Sequence, residues 1–258
     1  MIQEKISLIL TFTKRDFTQK YIGTSLGQYW FILSPVIMIA IYSIIFSNVM
    51  ILKLGITQNP YAYSVYLVSG LFAWVSFSTL LSTLTNSIDT NAHYLKKISI
   101  PMYVFQISAA LSQAIVLCIS MLLAVLFLVI VDFPLSIMLL LLLPLMALQL
   151  LFTFSLGVIL SLFVPFFKDI KVVLPIVLQL WFWITPIIYF KDIVPQKYHI
   201  LFTINPFYYF IESYHAIFLY AQAPCFDHIA RLGLLTLLLF ALATYLYKKM
   251  LPTVKDIL

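Results

Sequence analysis

The chain has 258 residues, of which 63% are hydrophobic and only 9% are charged, and its formal net charge is +6. An ordinary soluble domain has about 45–50% apolar and about 25% charged residues, so this chain has too few polar groups to cover a soluble surface. The composition therefore excludes most soluble enzymes and indicates an integral membrane protein, and the spread of basic residues along the chain argues against a nucleic-acid-binding protein.

The N-terminal segment predicts an amphipathic helix. Between residues 2 and 18, apolar residues such as Ile2, Ile6 and Ile9 recur at helical spacing, with mostly polar residues opposite. This pattern is typical of a helix that lies in the membrane interface. We assign residues 1–22 to this interface helix, and a basic flank that only sets the topology is the alternative.

Six apolar stretches are long enough to cross a bilayer, which takes about 20 helical residues for about 30 Å of hydrocarbon. They lie near residues 30–52, 62–85, 103–131, 135–163, 172–190 and 229–247. The predicted fold is therefore an all-α integral membrane protein with a single domain, residues 1–258. Within it, residues 30–247 form a bundle of six transmembrane helices and residues 248–258 form a cytoplasmic tail.

The distribution of Lys and Arg predicts the orientation of the chain. With six spans, both termini lie on the same side of the membrane as the second and fourth connections. These segments contain 11 of the basic residues, and the opposite side contains 4. Because cytoplasmic segments carry the excess of Lys and Arg, both termini are predicted to be cytoplasmic.

The connection between the second and third spans predicts a short helix. Residues 86–101 combine residues that often cap helices with Lys96 and Lys97, and they end at a proline. This pattern favours a short cytoplasmic helix, and a solvated loop is the alternative.

The connection between the fifth and sixth spans is too long for a plain turn. Within residues 191–228, the segment 206–222 is apolar and aromatic but shorter than a span. We predict short re-entrant helices on the outward side, with Asn205 as the N-cap of one of them and Pro206 at its first helical position.

The polar residues argue against ion-coupled transport and intramembrane catalysis. None of the nine Asp and Glu residues falls inside a predicted span, whereas secondary transporters usually hold an ionisable group at membrane depth. The four His show no metal-ligand spacing, and the phosphate-binding sequence G-x-x-x-x-G-K-[ST] does not occur. We expect no catalytic residue, metal or cofactor in this chain. A passive pore, a structural subunit and the membrane half of a machine powered by another chain remain.

Four groups of residues follow one another along the chain. They are Arg15-Asp16…Lys20-Tyr21…Ser25-Leu26-Gly27…Trp30…Pro35, Lys96-Lys97-Ile98…Pro101, Lys168-Asp169-Ile170…Pro175…Trp181-Phe182…Thr185-Pro186…Tyr189, and Asn205-Pro206…Glu212. In order and spacing they resemble the ABC-transporter permeases that export bacterial polysaccharides, and the resemblance covers nearly the whole chain. Lys20 and Lys168 stand where the family usually has arginine, and His215 stands where it often has arginine.

The resemblance implies the transmembrane subunit of an ATP-driven exporter in the bacterial inner membrane, which is not itself an enzyme. A homodimer would bind two cytoplasmic ABC ATPase subunits, and these would hold the ATP and magnesium. The complex would move a lipid-linked polysaccharide, O-antigen in the first place, from the cytoplasmic to the outer face. The alternatives are export of teichoic acid, capsule or a smaller lipid or drug cargo, and, in another class, a membrane-embedded glycosyl- or acyltransferase.

The resemblance also implies that the first and fifth spans line a channel. A channel for sugars needs surfaces that hold pyranose rings weakly, for which aromatic faces are suited. The candidates are Tyr42, Phe46, Gln179, Phe182, Pro186 and Tyr189. The last four lie at i, i+3, i+7 and i+10 in the fifth span, which places them on one helical face. Packing against lipid and at the interfaces is the alternative role for such residues.

Two further sets of candidates lie outside the spans. In the family, the N-terminal helix and the helix between the second and third spans contact the ATPase. The candidates for that contact are Lys14, Arg15, His93, Lys96 and Lys97. The short helices after the fifth span gate the exit, and the candidates for that outward gate are Asn205, Pro206 and Glu212.

Overall fold

A computed structural model describes residues 2–19, 23–47, 59–97 and 100–257, and the regular elements in these residues are helices. The α-helices are α1 (Ile2–Gln19), α2 (Trp30–Ser47), α3 (Ala62–Thr85), α4 (Ser87–Thr90), α5 (Ala92–Lys97), α6 (Met102–Ile130), α7 (Leu142–Phe163), α8 (Ile170–Ile184), α9 (Ile200–Ile204), α10 (Pro206–Phe218) and α11 (Phe226–Ile257). Short 3-10 helices cover Gly27–Tyr29, Ile137–Leu141, Lys191–Ile193 and Gln196–Tyr198.

Five of these helical stretches are long and apolar enough to cross a membrane. They are Gly27–Ile45, Ala62–Thr85, Met102–Ile130, Ile137–Phe163 and Phe226–Val254. Each corresponds to a predicted span, although the end of the predicted first span, beyond residue 47, lies outside the described residues. The predicted fifth span corresponds to α8, which has only 15 residues. At about 1.5 Å per residue, α8 covers about 22 Å, which is less than the hydrocarbon thickness.

The early end of α8 has a local cause. Thr185 has an extended backbone, with φ −91° and ψ 128°, because a residue that precedes proline is pushed out of the helical region. The prediction of a helix to residue 190 is therefore wrong. Of the four channel candidates in this segment, Pro186 and Tyr189 lie beyond the helix, so they do not continue the helical face of Gln179.

Helix α3 is the most buried of the five candidate spans and packs against α2, α6, α7, α8 and α10. Gln149 of α7 joins three helices, because its Nε2 donates to the carbonyl oxygen of Ala73 at 2.8 Å and its Oε1 accepts from the Tyr214 hydroxyl at 2.8 Å. Gly157 lets α7 approach α3, since a Cβ there would lie 2.6 Å from the Cβ of Leu84. Small residues and internally satisfied polar groups are what helix packing in lipid requires.

Helix α1 packs along α6. Phe12 meets Phe105 edge to face with ring centroids 4.8 Å apart, and the Ser112 hydroxyl donates to the carbonyl oxygen of Thr13 at 3.1 Å. The helix predicted at the N-terminus is confirmed by α1. The helix predicted between the second and third spans is confirmed as the pair α4 and α5.

The two ends of α3 carry different structures. With 24 residues, α3 is about 36 Å long. Near its C-terminal end, Arg15 of α1 reaches Asn91, which lies between α4 and α5. At its N-terminal end, Tyr66 bonds to the segment that follows α8, and α9 and α10 lie beside that segment.

Candidate functional site

A cavity of about 410 Å³ lies at the N-terminal end of α3, and we name it the α10 cavity. Its wall comes from the segment after α8, from α10, from the turn that follows α10 and from the start of α11. Tyr66 and His215 form the buried base. Five parts of the chain therefore meet around one space that contains both aromatic and charged side chains.

Two tyrosines of α3 hold the segment after α8 in place. The Tyr66 hydroxyl lies 2.9 Å from the carbonyl oxygen of Pro186 and 2.7 Å from that of Tyr189. The Tyr63 hydroxyl donates to the carbonyl oxygen of Ile188 at 2.5 Å. Once α8 has ended, these carbonyl groups have no helical partner. The Tyr63 proton bonds to one of them, and the other two share the single proton of Tyr66. Among the channel candidates, Pro186 thereby becomes part of the cavity wall.

Asn205 begins α10 and also ties it to α8. Its Oδ1 accepts from the backbone N–H of Phe207 at 3.0 Å, which confirms the predicted N-cap, and Pro206 takes the first helical position. The same oxygen accepts from Nε1 of Trp181 at 2.7 Å, and Nδ2 of Asn205 donates to Oγ1 of Thr185 at 2.8 Å. One amide side chain therefore links the start of α10 to the end of α8.

Glu212 connects three parts of the cavity wall. Its Oε1 lies 3.0 Å from Nζ of Lys191, after α8, and its Oε2 lies 3.1 Å from Nδ1 of His228, on α11. Burial lowers the pKa of Lys191, but the hydrogen bond and the charge of Glu212 outweigh this and hold that pKa above its ordinary value. Burial, followed by the Glu212 charge, raises the pKa of the neighbouring Tyr208 to about 12. Lys191 therefore stays charged and Tyr208 neutral near pH 7.

His215 packs tightly against α3. Its ring stacks on Tyr66 with centroids 3.8 Å apart, and its Nε2 lies 3.1 Å from the carbonyl oxygen of Tyr66. Because that oxygen only accepts, Nε2 carries the proton. A Cβ on Gly70 would lie 3.0 Å from Nε2, so glycine leaves room for the imidazole.

The candidates for an ATPase contact do not all have the same environment. The Arg15 guanidinium lies over the rings of Phe12 and Tyr94, at 4.5 and 5.3 Å from their centroids, and it also pairs with Asp16 at 2.9 Å. Arg15 therefore joins α1 to α5 within this chain. Lys14 and His93 are exposed, whereas the side chains of Lys96 and Lys97 lie outside the described part of the structure.

The remaining channel candidates are distributed over α2 and α8. Gln179 is exposed, Tyr42 is half-buried, and Phe182 packs on Trp74 with centroids 5.6 Å apart. The side chain of Phe46 lies outside the described residues. Both helices expose apolar side chains on their outer faces. Within one chain, these candidates do not converge on the α10 cavity except through Pro186.

Sequence reasoning missed three members of this site. Tyr66 and Lys191 carry no motif of their own, and His228 stood out only as an isolated histidine. Their partners are distant in sequence, since 120 residues separate Tyr66 from Pro186. Among the described residues, no three His, Cys, Asp or Glu side chains form a group that could hold a metal ion.

The sequence matches a family model and several known proteins. The family model described as ABC-2 type transporter matches residues 7–219. Two proteins of Klebsiella pneumoniae, each named O-antigen export system permease protein RfbA, are 29% and 28% identical to the chain over 213 residues, which is 82% of this chain and 80% of each relative. A protein of the same name from Myxococcus xanthus is 25% identical over 255 residues, 93% of this chain and 91% of the relative.

Proposed function

This chain belongs to the ABC-2 type transporter family, and from that premise we propose that it exports a lipid-linked polysaccharide, O-antigen in the first place. As a permease of this family it is a transport subunit, and it works with an ABC ATPase. The proposed direction is from the cytoplasmic to the outer face of the bacterial inner membrane, with both termini cytoplasmic and the α10 cavity on the outward side.

The family match is the observation on which the proposal rests. It runs from α1 through α10, so it includes the helices that pack at both ends of α3. The cargo is inferred from the names of the three relatives, which match four fifths or more of the chain at 25–29% identity. The α10 cavity is consistent with that cargo, because aromatic rings and hydrogen-bonding groups together suit a sugar chain.

The proposed assembly is a homodimer with two ATPase subunits, which bind the ATP and magnesium. The exposed apolar faces of α2 and α8 offer surfaces for a second copy, and a channel lined by Tyr42, Phe46, Gln179 and Phe182 would form between the copies. Lys14 and His93 are exposed at the opposite end from the cavity and, with Lys96 and Lys97, are the proposed contacts of the ATPase.

Helix α10 is the proposed outward gate. Asn205 and Pro206 fix its beginning, and Glu212 bonds its middle to the segments on both sides. In the proposed mechanism α10 moves when the polymer passes, and this movement separates Glu212 from Lys191 or from His228. Both contacts are partly exposed, so each contributes about 1 kcal/mol or less and can break at little cost.

Depletion of the protein in its native cell tests the proposal. The lipid-linked polysaccharide is located with an externally added lectin or antibody, before and after permeabilisation. Accumulation inside the cell, reversed by a plasmid copy of the wild-type chain, is the expected result. Normal display outside the cell would contradict the polysaccharide cargo and favour a smaller lipid or drug as cargo.

A further inference from the structure

We propose that the α10 cavity binds a single sugar unit and that it accepts an uncharged sugar while rejecting an acidic one. This inference rests on the proposed function, because it names the part of the cargo that the protein recognises. It adds a binding site that lies within one protomer, apart from any channel between two copies.

The size and shape of the cavity fit this ligand. Its volume of about 410 Å³ lies in the range of about 300–1,000 Å³ that small-molecule sites occupy. The space is walled by four segments, and Tyr66 and His215 close its base. Tyr220, Gln222 and Cys225, in the turn that follows α10, are exposed, so the cavity is open to solvent on this side.

The chemistry of the wall matches the two surfaces of a pyranose. One face of the ring presents C–H groups, which pack on an aromatic face, and Tyr220 supplies such a face with 40% of its surface exposed. The edge of the ring presents hydroxyl groups, which donate to carboxylates and accept from amides and imidazoles. Asp192, Glu212, Gln222 and His228 line the same cavity.

Glu212 holds the polar side of the cavity wall in place. Its Oε1 lies 3.0 Å from Nζ of Lys191, and its Oε2, which is shielded from solvent, lies 3.1 Å from Nδ1 of His228. The ammonium group of Lys191 has three N–H donors, of which Glu212 and Tyr208 take two. The third is left to donate to a sugar hydroxyl in the cavity.

The charges of the wall exclude acidic sugars. Among the residues that line the cavity, Lys191 is the one lysine or arginine, and it already pairs with Glu212 at 3.0 Å. Asp192 is a second carboxylate in the wall. Of the Lys, Arg, Asp and Glu residues in the wall, one is basic and two are acidic. A uronic acid or a phosphate would find Lys191 already paired with Glu212 and would meet the carboxylate of Asp192. Binding of an acidic sugar is therefore unfavourable.

Alkylation of Cys225 provides a direct test, since this residue lines the cavity and is exposed. Cys118 is removed by Cys118→Ser, and the full-length complex is extracted from its membrane into lipid nanodiscs. The alkylation rate with a membrane-impermeant maleimide is measured with maltotriose, a neutral trisaccharide, or with trigalacturonate, an acidic one. For a Kd on the order of 1 mM, about 10 mM maltotriose is expected to slow alkylation about tenfold, and trigalacturonate less than about twofold.

Two tyrosine variants show whether protection comes from this cavity. Tyr220→Ala removes the exposed ring and is expected to weaken maltotriose protection about fivefold or more. Tyr198→Ala removes a ring that is also exposed but does not line the cavity, and it is expected to keep full protection. Absence of protection, equal protection by the acidic trisaccharide, or equal loss in both variants would overturn the proposal.

The test separates this proposal from the proposed function. If depletion traps polysaccharide inside the cell but no saccharide protects Cys225, the sugar site is wrong and the export function stands. If maltotriose protects Cys225 but depletion leaves the polysaccharide outside the cell, the cavity binds sugars and the proposal of polysaccharide export is wrong.

Discussion

The imidazole of His215 stacks on the phenol ring of Tyr66 and donates through Nε2 to the carbonyl oxygen of the same residue. The Tyr66 hydroxyl in turn bonds to the segment after α8 at Pro186 and Tyr189. Tyr66 is therefore the residue of α3 that holds both α10 and the α8 end of the cavity in place.

Tyr66→Phe tests this role, because it keeps the ring and removes only the hydroxyl. The carbonyl groups of Pro186, which is buried, and of Tyr189, which is half-buried, lose the donor that they share. We therefore expect the free energy of unfolding to fall by about 1–3 kcal/mol. The measurement is the thermal midpoint in nanodiscs. Tyr198→Phe, at an exposed tyrosine, is the control and should leave the midpoint unchanged; an equal fall in both variants would contradict the role.

Gly157→Ala tests the close approach of α3 and α7. The added Cβ would lie 2.6 Å from the Cβ of Leu84, so the helices have to separate. We expect a loss of about 1–3 kcal/mol in stability. Gly233→Ala on α11 meets nothing within 4 Å and should be neutral or stabilise the helix by up to about 1 kcal/mol. If the two variants unfold at the same temperature, the packing argument is wrong.

Asn205→Ala removes the cap of α10 together with its two links to α8. The cap alone is worth about 0.5–2 kcal/mol, and Nε1 of Trp181 also loses its acceptor. We expect a lower unfolding temperature and a changed tryptophan emission. Asn205→Asp keeps the acceptor for Phe207 and Trp181, so it should retain most of the stability. An aspartate variant as unstable as the alanine variant would show that loss of the cap does not cause the lower unfolding temperature.

The Lys191–Glu212 pair has a predictable pH dependence. The folded pKa of Lys191 lies above its ordinary value, so the contribution of the pair is complete below about pH 10 and is lost as the pH rises through the folded pKa. Lys191→Met should therefore lower stability by the same small amount, about 1 kcal/mol or less, from pH 6 to pH 9. Thermal unfolding of both proteins across this range is the measurement. A difference that disappears between pH 6 and pH 9 would contradict the pairing.

Arg15 and Lys14 are neighbours with different expected roles. Arg15→Ala removes the contacts with Phe12, Tyr94 and Asp16, so we expect the chain itself to lose about 1 kcal/mol of stability or more. Lys14→Ala should leave stability unchanged and reduce the ATPase activity of the assembled complex, since Lys14 is exposed. Thermal unfolding and ATP hydrolysis, measured on the same preparations, separate the two effects. Unchanged hydrolysis in the Lys14 variant would remove this residue from the proposed contact.

Local signals in the sequence predicted the elements that depend on neighbouring residues. The amphipathic pattern predicted α1, the apolar stretches predicted six spans, of which five correspond to long helices, and Asn205-Pro206 predicted the start of α10. The end of α8 was missed because hydropathy continues past Thr185, whereas the backbone is redirected by the proline that follows. The contacts of Tyr66, Lys191 and His228 were missed because no local pattern relates residues that meet only after the helices have packed.

The shortness of α8 also affects the barrier that the membrane presents. A helix of about 22 Å leaves about 8 Å of a typical hydrocarbon layer uncovered, and the bilayer adapts to such a mismatch by becoming thinner around it. Beyond α8, the carbonyl groups of residues 186, 188 and 189 bond to Tyr63 and Tyr66, so this non-helical chain can continue at membrane depth without facing lipid. With α8 as the proposed fifth span, the apolar layer is therefore expected to be thinner beside the α10 cavity than along the longer helices α3, α6 and α7.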